Sequence, residues 1–373
     1  MKPITLAPIL GALVGGPNSG KSKSPEFLAK NLSKMGYRVF LVPEGPTKIL
    51  HPGLKDIEKI SKRNYEKYLR IQKLILKDHI QQKKLFLELA QLFPDEQTII
   101  LFDRAGMDPK AYVRDEKDFD RHLKELQLTY ADVCESMDIV IHLVTTAWGK
   151  EDVYTRTMSK NKARRETTLH AARKADKKTL MAWLGHPRLK IIDNRTNFAG
   201  KQERILNALI SGKEIERKFL LKRPPNFNCL ELQQSEMAAI QQFYAIIDGK
   251  KVRFRKRTRR GCSIYYQTKK KMLSGITREE KEVRITEEDY EKALNYKILN
   301  SWTIVKNRYH FIYDYQHFEL DEFIGPVKFW LLEIELENEN DPVQLPPFLE
   351  IKREVTNEPI FRNSNIATSK TLF

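Results

Sequence analysis

The chain has 373 residues and a formal net charge of +17, from 66 Lys and Arg against 49 Asp and Glu. This length is enough for two domains that each bury their own core. No apolar run reaches the roughly 18 residues that a membrane-spanning helix needs, and we read the apolar segment Leu6–Val14 as a first core strand rather than a signal peptide. We therefore expect a cytoplasmic protein whose positive charge favours an anionic partner: nucleic acid, anionic lipid or polyphosphate.

The first 210 residues alternate short apolar runs with helical stretches, which is typical of a doubly wound α/β domain with a parallel sheet. The predicted strands are Ile9–Val14, Val39–Val42, Thr98–Phe102, Ile139–Val144 and Lys190–Ile192. Between the second and third strands, apolar residues recur at helical spacing across Ile60–Leu92. That spacing predicts one or two amphipathic helices.

The segment GGPNSGKS follows the first strand directly and fits the phosphate-loop pattern GxxxxGK[ST]. In such a loop, glycines let backbone amides approach the phosphates, Lys21 neutralises the β and γ groups, and Ser22 offers a magnesium ligand. The predicted nucleotide contacts are Gly15, Asn18, Ser19, Gly20, Lys21 and Ser22. The pattern predicts binding of a nucleoside triphosphate together with Mg²⁺.

Other side chains of the first domain are candidates for the reaction itself. Asp103 ends a predicted strand, where a second carboxylate would hold the magnesium ion through water. Glu44 follows a neighbouring strand and could orient an attacking water or hydroxyl group. Arg164 or Arg165 could stabilise the transferred phosphoryl group, although a solvated surface position explains both equally well. No Asn-Lys-x-Asp motif is visible, so the spacing leaves ATP and GTP both open.

After Gly212 the pattern changes to period-two alternation rich in aromatic and basic residues, which indicates a β-rich domain. We place the first domain at residues 1–212 and the second at 213–353. Residues 354–373 are polar and aperiodic, and we expect them to form a flexible tail.

Charged residues alternate along several predicted strands of the second domain. Because alternate residues of a strand share a face, each set lies on one side of its strand. The sets are Glu214, Glu216 and Lys218; Arg253 and Arg255; Lys306 and Arg308; and Glu333 and Glu335. Their recurrence predicts a closed antiparallel barrel with a charged interior. Isolated buried ions are costly, so these side chains need partners. A triphosphate with Mg²⁺ or Mn²⁺ would supply them, because the basic groups bind the phosphates and the carboxylates bind the metal ion.

Several segments together resemble the NadR-like AAA family of P-loop proteins, in particular its branch fused to a C-terminal CYTH, or triphosphate-tunnel, domain. The segments are GGPNSGKS, VPEGPTKIL, LFDRAGMDPKAY, HLVTTAWGKEDVYT and WLGHPRLKIIDN. Residues Glu214–Lys218 match the ExExK signature of CYTH proteins. This branch includes a GTPase involved in trafficking TRP channels and rhodopsin.

The resemblance implies further residues and ligands. Arg104 joins Lys21, Glu44 and Asp103 around the nucleotide. In the second domain, the matching basic and acidic positions are Lys269, Arg278, Glu280, Glu282 and Asp321. GTP, and a phosphoinositide head group on endomembranes, are implied as ligands. Family enzymes cleave triphosphates such as thiamine triphosphate, or cyclise ATP.

Two functional hypotheses follow. In the first, the P-loop domain hydrolyses GTP or ATP and the second domain binds a triphosphate or phosphoinositide head group, with peripheral membrane contact. In the alternative, the tunnel domain is the triphosphatase and the P-loop domain is a kinase or regulator. The predicted metal ligands are Ser22, Asp103, Glu214, Glu216, Asp321, Glu333 and Glu335. The predicted anion ligands of the second domain are Lys218, Arg253, Arg255, Lys269, Arg278, Lys306 and Arg308. Nucleic acid is disfavoured, because the tunnel face already accounts for most of the basic run 253–260.

Overall fold

The computed structural model describes residues 7–44, 57–160, 168–274 and 277–368. Side chains are described for these residues except 156–160, 213–214 and 270–281. The chain divides into two compact units, Met1–Ile210 and Ser211–Phe373. In the described ranges, every helix is too short or too polar to cross a lipid bilayer.

The first unit contains a five-stranded sheet in the order β2-β3-β1-β4-β5. Its strands are β1 (Ile9–Val14), β2 (Arg38–Val42), β3 (Thr98–Asp103), β4 (Ile139–Leu143) and β5 (Leu189–Ile192). All four pairings are parallel. The predicted doubly wound sheet is therefore confirmed. The central strands are buried almost throughout, as expected for a parallel sheet covered on both faces.

Helices of the first unit connect these strands and cover the sheet. They are α1 (Ser24–Lys34), α2 (Ile57–Arg63), α3 (Tyr65–Ala90), α4 (Glu116–Glu125), α5 (Tyr130–Cys134), α6 (Glu151–Lys160), α7 (Leu169–Ala182) and α8 (Phe198–Ile210). Short 3₁₀ helices occupy Lys21–Lys23 and Asp108–Tyr112. Leu28 of α1 and Ile205 of α8 pack in the same core cluster as Leu13 of β1. The predicted amphipathic segment forms two helices, α2 and α3.

The second unit contains a nine-stranded sheet whose pairings are all antiparallel, in the order β10-β9-β8-β7-β11-β12-β13-β6-β14. The strands are β6 (Lys213–Leu221), β7 (Glu236–Ile247), β8 (Lys250–Arg259), β9 (Cys262–Ser274), β10 (Thr277–Ile285), β11 (Ile304–Tyr313), β12 (Gln316–Gly325), β13 (Phe329–Leu336) and β14 (Ile351–Glu354). The helices are α9 (Leu230–Gln233), α10 (Glu287–Leu294) and α11 (Asn363–Ile366). Strand β10 makes an additional antiparallel pairing with β6.

The period-two pattern separates an apolar face of this sheet from a charged one. Leu332 and Ile334 of β13 pack in an apolar cluster with Phe311 and Phe318. Glu333, which lies between the two apolar residues, points to the opposite face of the strand.

The segment after Glu354 was predicted to be flexible, and the structure corrects this up to Thr368. Val355 donates its N–H to Lys218 O at 2.8 Å. Phe361 and Ile366 are buried in a cluster with residues of the sheet. The polar composition concealed these widely spaced apolar side chains, which are buried only when tertiary contacts form.

Candidate functional site

The P-loop joins β1 to α1 and depends on glycine at its first position. Gly15 has φ +138°, and a Cβ atom there would lie 2.2 Å from Leu143 O. Gly20 has φ +99°, and a Cβ atom there would lie 2.8 Å from a ring carbon of Phe198. No larger residue fits either position without moving the backbone or a neighbouring ring. The glycines of the predicted motif are therefore required by backbone geometry.

Lys21 is folded back over the loop that carries it. Its Nζ donates to Gly15 O at 2.5 Å, to Gly16 O at 2.7 Å and to Ser19 Oγ at 3.1 Å. Burial, with a smaller contribution from the charge of Arg104, lowers the pKa of Lys21 to about 8. An ammonium group surrounded by the P-loop in this way can neutralise phosphate oxygens held by the same loop.

Asp103 lies at the end of β3, in register with Leu13 on β1. Its Oδ1 is buried and has no hydrogen-bond partner among the described residues. Burial raises the pKa of Asp103 to about 6, although the charge of Lys21 opposes this shift. A buried oxygen without a partner is costly, and together with the exposed hydroxyl of Ser22 it is the type of ligand that Mg²⁺ prefers. These residues fit the ion that the motif implies.

Arg104 follows Asp103 with a left-handed backbone, φ +68°. Its Nε donates to Glu44 Oε1 at 2.5 Å, and its Nη1 donates to Asp108 Oδ1 and to Tyr112 OH, both at 3.2 Å. Trp183 Nε1 donates to the other Asp108 oxygen at 3.2 Å. The structure therefore brings Glu44 and Arg104 together beside Asp103, with Asp108 fixing the guanidinium group.

The loop after β4 supports the P-loop from the side. Asn18 Nδ2 donates to Thr146 Oγ1 at 2.7 Å, and Thr146 Oγ1 donates to Asn18 O at 3.1 Å. Lys201 Nζ donates to Val144 O and to Asn194 Oδ1, both at 2.8 Å, and burial lowers the pKa of Lys201 to about 7. Asn18, predicted to contact the nucleotide, therefore also holds the P-loop to the loop after β4.

In the second unit, Lys218 lies between acidic side chains. Its Nζ is 2.9 Å from Glu216 Oε2 and also pairs with Glu333 Oε1. Burial alone would lower the pKa of Lys218, but the charges of Glu216 and Glu333 raise it above its usual value. The side chain therefore stays protonated despite being buried.

Arg308 is the centre of a second ionic cluster. Its Nε and Nη2 donate to the two oxygens of Asp321, both at 2.7 Å, and the guanidinium also pairs with Glu319 and Glu333. Lys306 pairs with Asp321 as well, and neither side chain is exposed to solvent. These contacts place cations and anions of β11, β12 and β13 on one shared face.

Strand β8 supplies a row of buried guanidinium groups at alternate positions: Arg253, Arg255, Arg257 and Arg259. Arg253 Nη2 lies 3.1 Å from Glu282 Oε2 on β10. Arg255 Nε donates to the neutral Gln242 at 3.1 Å, and burial together with Arg253 lowers the pKa of Arg255 to about 10. Strand β8 therefore presents four buried cations on one face, which favours binding of an anion.

A family model described as an AAA domain matches residues 11–201. The chain belongs to this AAA-domain family. Among solved structures, the hypothetical protein NE1496 is 28% identical and covers 42% of this chain and 98% of its own, with a TM-score of 0.30. A structure described as the inorganic triphosphatase NE1496 is 26% identical, with 42% and 95% coverage and a TM-score of 0.29. PH1819 from Pyrococcus horikoshii OT3 is 18% identical, with 34% and 80% coverage and a TM-score of 0.26. Scores this low do not establish a shared fold. A search of curated proteins returned no match.

Some of the predicted site residues of this AAA-domain protein lie away from the charged face of the second unit or outside the described residues. Lys269 is exposed and follows Thr268, which is buried against Arg253, so strand alternation turns the lysine away from the charged face. Glu335 is exposed, unlike Glu333. Arg165, and the side chains of Glu214, Arg278 and Glu280, lie outside the described part of the structure. Across the described residues, no group of three or more His, Cys, Asp or Glu side chains is arranged to hold a metal ion.

Other residues that contact the candidate sites were not among the predicted site residues. They are Asp108, Thr146, Asp176, Arg257, Arg259 and Glu319. The two arginines continue the alternation that begins at Arg253, so extending the predicted face along β8 would have found them. The other residues come from segments that no local motif links to the site.

Proposed function

We propose that the first unit binds a nucleoside triphosphate with Mg²⁺ and hydrolyses it. The observation that carries this proposal is the position of Lys21 within the loop between β1 and α1. It lies beside an oxygen of Asp103, on the adjacent strand, for which the described residues offer no hydrogen-bond partner. Membership of the AAA-domain family agrees with it.

Each residue has a distinct role in this proposal. Lys21 and the loop amides bind the phosphates, and Ser22 and Asp103 would hold Mg²⁺, which neutralises charge on the phosphoryl oxygens when bound. Glu44 orients the attacking water. Arg104 fixes the Glu44 carboxylate through its 2.5 Å contact. Arg165 is retained as a candidate for stabilising the transferred group.

The proposal also includes a preferred substrate, a ligand and a cellular role. These are GTP, a phosphoinositide and trafficking on endomembranes. Their support is the sequence resemblance to the CYTH-fused branch. Turnover of GTP at least about tenfold faster than ATP at equal concentration, a difference of about 1.4 kcal/mol, would support the preference. Equal turnover of the two nucleotides would contradict a preference for GTP.

For the second unit we propose a closed, CYTH-like barrel that binds a triphosphate or polyphosphate on its charged face. The additional pairing of β10 with β6 supports closure, and the buried arginine row of β8 supports anion binding. The alternative function, a metal-dependent triphosphatase, is favoured by the acidic side chains around Lys218. In that case Glu216 and Glu333 would hold Mg²⁺ or Mn²⁺.

One assay separates these functions. Phosphate release would be measured from ATP, GTP, thiamine triphosphate and inorganic triphosphate, in wild type and in the Lys21→Ala and Glu216→Ala variants. Lys23→Ala is the matched control for Lys21, because Lys23 lies on the same 3₁₀ helix and is exposed. Loss of ATP or GTP turnover in Lys21→Ala alone supports the proposed function. Loss only in Glu216→Ala makes the second unit the enzyme and contradicts hydrolysis in the first.

A binding measurement tests the second unit independently of catalysis. Affinity for inorganic triphosphate would be measured by calorimetry in wild type, Arg255→Ala and Lys256→Ala. Arg255 is buried on the charged face, whereas Lys256 is its neighbour on the other face of β8. Binding lost in Arg255→Ala and kept in Lys256→Ala supports a ligand on the charged face, and equal binding by all three proteins refutes it.

A further inference from the structure

A buried carboxylate behind the P-loop belongs to no motif in the sequence. Asp176 lies on α7, and its side chain has no exposure to solvent. Its Oδ1 accepts from the Gly16 N–H at 2.7 Å and from the Thr145 N–H at 3.2 Å. One oxygen atom thus connects the loop after β1 to the loop after β4.

Gly16 makes this contact sterically feasible. The phosphate-loop pattern requires glycine at residues 15 and 20 but leaves residue 16 unspecified. A Cβ atom on Gly16 would lie 2.7 Å from both Cβ and Oδ1 of Asp176, and it would have to displace the side chain or the helix. The second glycine of the segment therefore permits α7 to approach the loop.

The two loops joined by Asp176 also contact each other directly. Thr145 Oγ1 donates to Pro17 O, and Thr146 N–H donates to Asn18 O at 3.3 Å. Each of residues 16, 17 and 18 of the P-loop is therefore fixed by a hydrogen bond to Asp176 or to the loop after β4. Asp176 is bonded to both sides of this contact.

The charge of Asp176 is opposite to what phosphate binding would need at this position. Burial raises the pKa of Asp176, but His142, whose Nε2 lies 3.3 Å from Oδ1, and the Gly16 N–H more than offset that effect. The pKa of the group therefore lies below its usual range, and it is ionised near neutral pH. A carboxylate behind an anion-binding loop repels phosphate, although its charge also raises the pKa of Lys21. Its direct contribution to the site is the pair of hydrogen bonds from Gly16 and Thr145, which is geometric.

We infer that Asp176 is a positioning residue of the nucleotide site, which acts through Gly16 and Thr145 to hold the P-loop in its phosphate-binding conformation. The inference rests on the proposed function of the first unit. It assigns Asp176 no contact with the nucleotide or with the reacting atoms.

The test measures the dissociation constant of a fluorescent ATP or GTP analogue with Mg²⁺. The proteins are wild type, Asp176→Ala, Asp176→Asn and Lys21→Ala, all as full-length chains kept well below their melting temperatures. We expect Asp176→Ala to bind about tenfold more weakly, a difference of about 1.4 kcal/mol. Asp176→Asn keeps an oxygen that can accept both N–H groups, so we expect it to stay within about threefold of wild type.

A control separates positioning from general stability. Asp138 accepts from the Leu10 N–H at 2.7 Å, which is the same type of bond at the opposite end of β1. Asp138→Ala should lower the melting temperature and leave nucleotide affinity unchanged. If Asp176→Ala does not fold, Gly16→Ala perturbs the same contact from the loop side and should weaken binding similarly.

The outcomes distinguish this inference from the proposed function. No binding by wild type overturns the proposed function and the inference with it. Binding by wild type, with loss in Lys21→Ala and unchanged affinity in Asp176→Ala, overturns the inference alone. Equal weakening in Asp138→Ala and Asp176→Ala at matched stability also overturns it.

Discussion

The Asp321→Asn substitution tests the energetics of the charged face in the second unit. Asp321 pairs with Lys306, and neither side chain is exposed to solvent. Among the described residues, Asp321 is the only carboxylate in contact with Lys306, whereas Arg308 also pairs with Glu319 and Glu333. The substitution therefore leaves the buried Lys306 ammonium group, when protonated, without a contacting carboxylate among the described residues.

The expected loss follows from that uncompensated charge. Removing one partner of a buried ion pair costs about 3–5 kcal/mol, and we expect Asp321→Asn to approach this loss at about pH 5, where Lys306 stays protonated. Near neutral pH we expect a smaller loss, because Lys306 can release its proton in the folded variant. Replacing both partners, in Asp321→Asn with Lys306→Met, removes the lone charge. We expect the double variant to recover most of the loss.

The same substitution changes the dependence of stability on pH. Burial, followed by the charge of Arg308, lowers the pKa of Lys306 to about 8, and Asp321 opposes this shift. Because the folded pKa is below the unfolded value, the unfolded chain binds more protons between about pH 8 and 10.4, so the contribution of Lys306 to stability increases as the pH rises. In Asp321→Asn the folded pKa falls further, so this increase should begin at lower pH.

Hydrogen exchange of the intact chain gives the unfolding free energy of peptides from β11 and β12 without requiring the two units to unfold together. The measurement would compare wild type, both single variants and the double variant as a mutant cycle. A loss below about 1 kcal/mol in Asp321→Asn at about pH 5 would refute the uncompensated-charge argument. A double variant as unstable as the sum of the singles would also refute it.

Three further predictions concern the P-loop and the C-terminal segment. Nucleotide affinity with Mg²⁺ should rise as the pH increases through about 6, where Asp103 ionises, and fall above about pH 8, where Lys21 loses its proton. In a fluorescence titration, Lys21→Arg should abolish the loss of affinity above about pH 8, because arginine stays protonated. An unchanged loss in this variant would contradict the role given to Lys21. Gly15→Ala should abolish nucleotide binding, because its Cβ would meet Leu143 O at 2.2 Å, whereas Gly149→Ala, with no atom within 4 Å, should retain binding despite its φ of +72°. Phe361→Ala should destabilise the second unit by about 3–5 kcal/mol in hydrogen exchange, and wild-type protection would show that the C-terminal segment does not pack there.

Local signals in the sequence were sufficient to predict several elements. The GxxxxGKS pattern placed Lys21 in a loop after a strand, because phosphate binding requires glycines and a lysine at fixed spacing. Apolar runs predicted every strand of the parallel sheet, since buried strands need continuous branched residues. Alternating charges similarly predicted the shared face of Lys306 and Arg308, because residues two apart in a strand point the same way.

Contacts between groups that are distant in the sequence could not be predicted from local patterns. Gly16 and Asp176 are 160 residues apart, and no local pattern pairs them. The salt bridge of Arg104 with Glu44 likewise depends on the order of β2 and β3 in the sheet. Burial of Phe361 was hidden by a polar segment. Motifs and periodicity predict the local conformation of a single helix, strand or loop. Hydrogen bonds, ion pairs and packing between segments depend on which elements become neighbours when the chain folds.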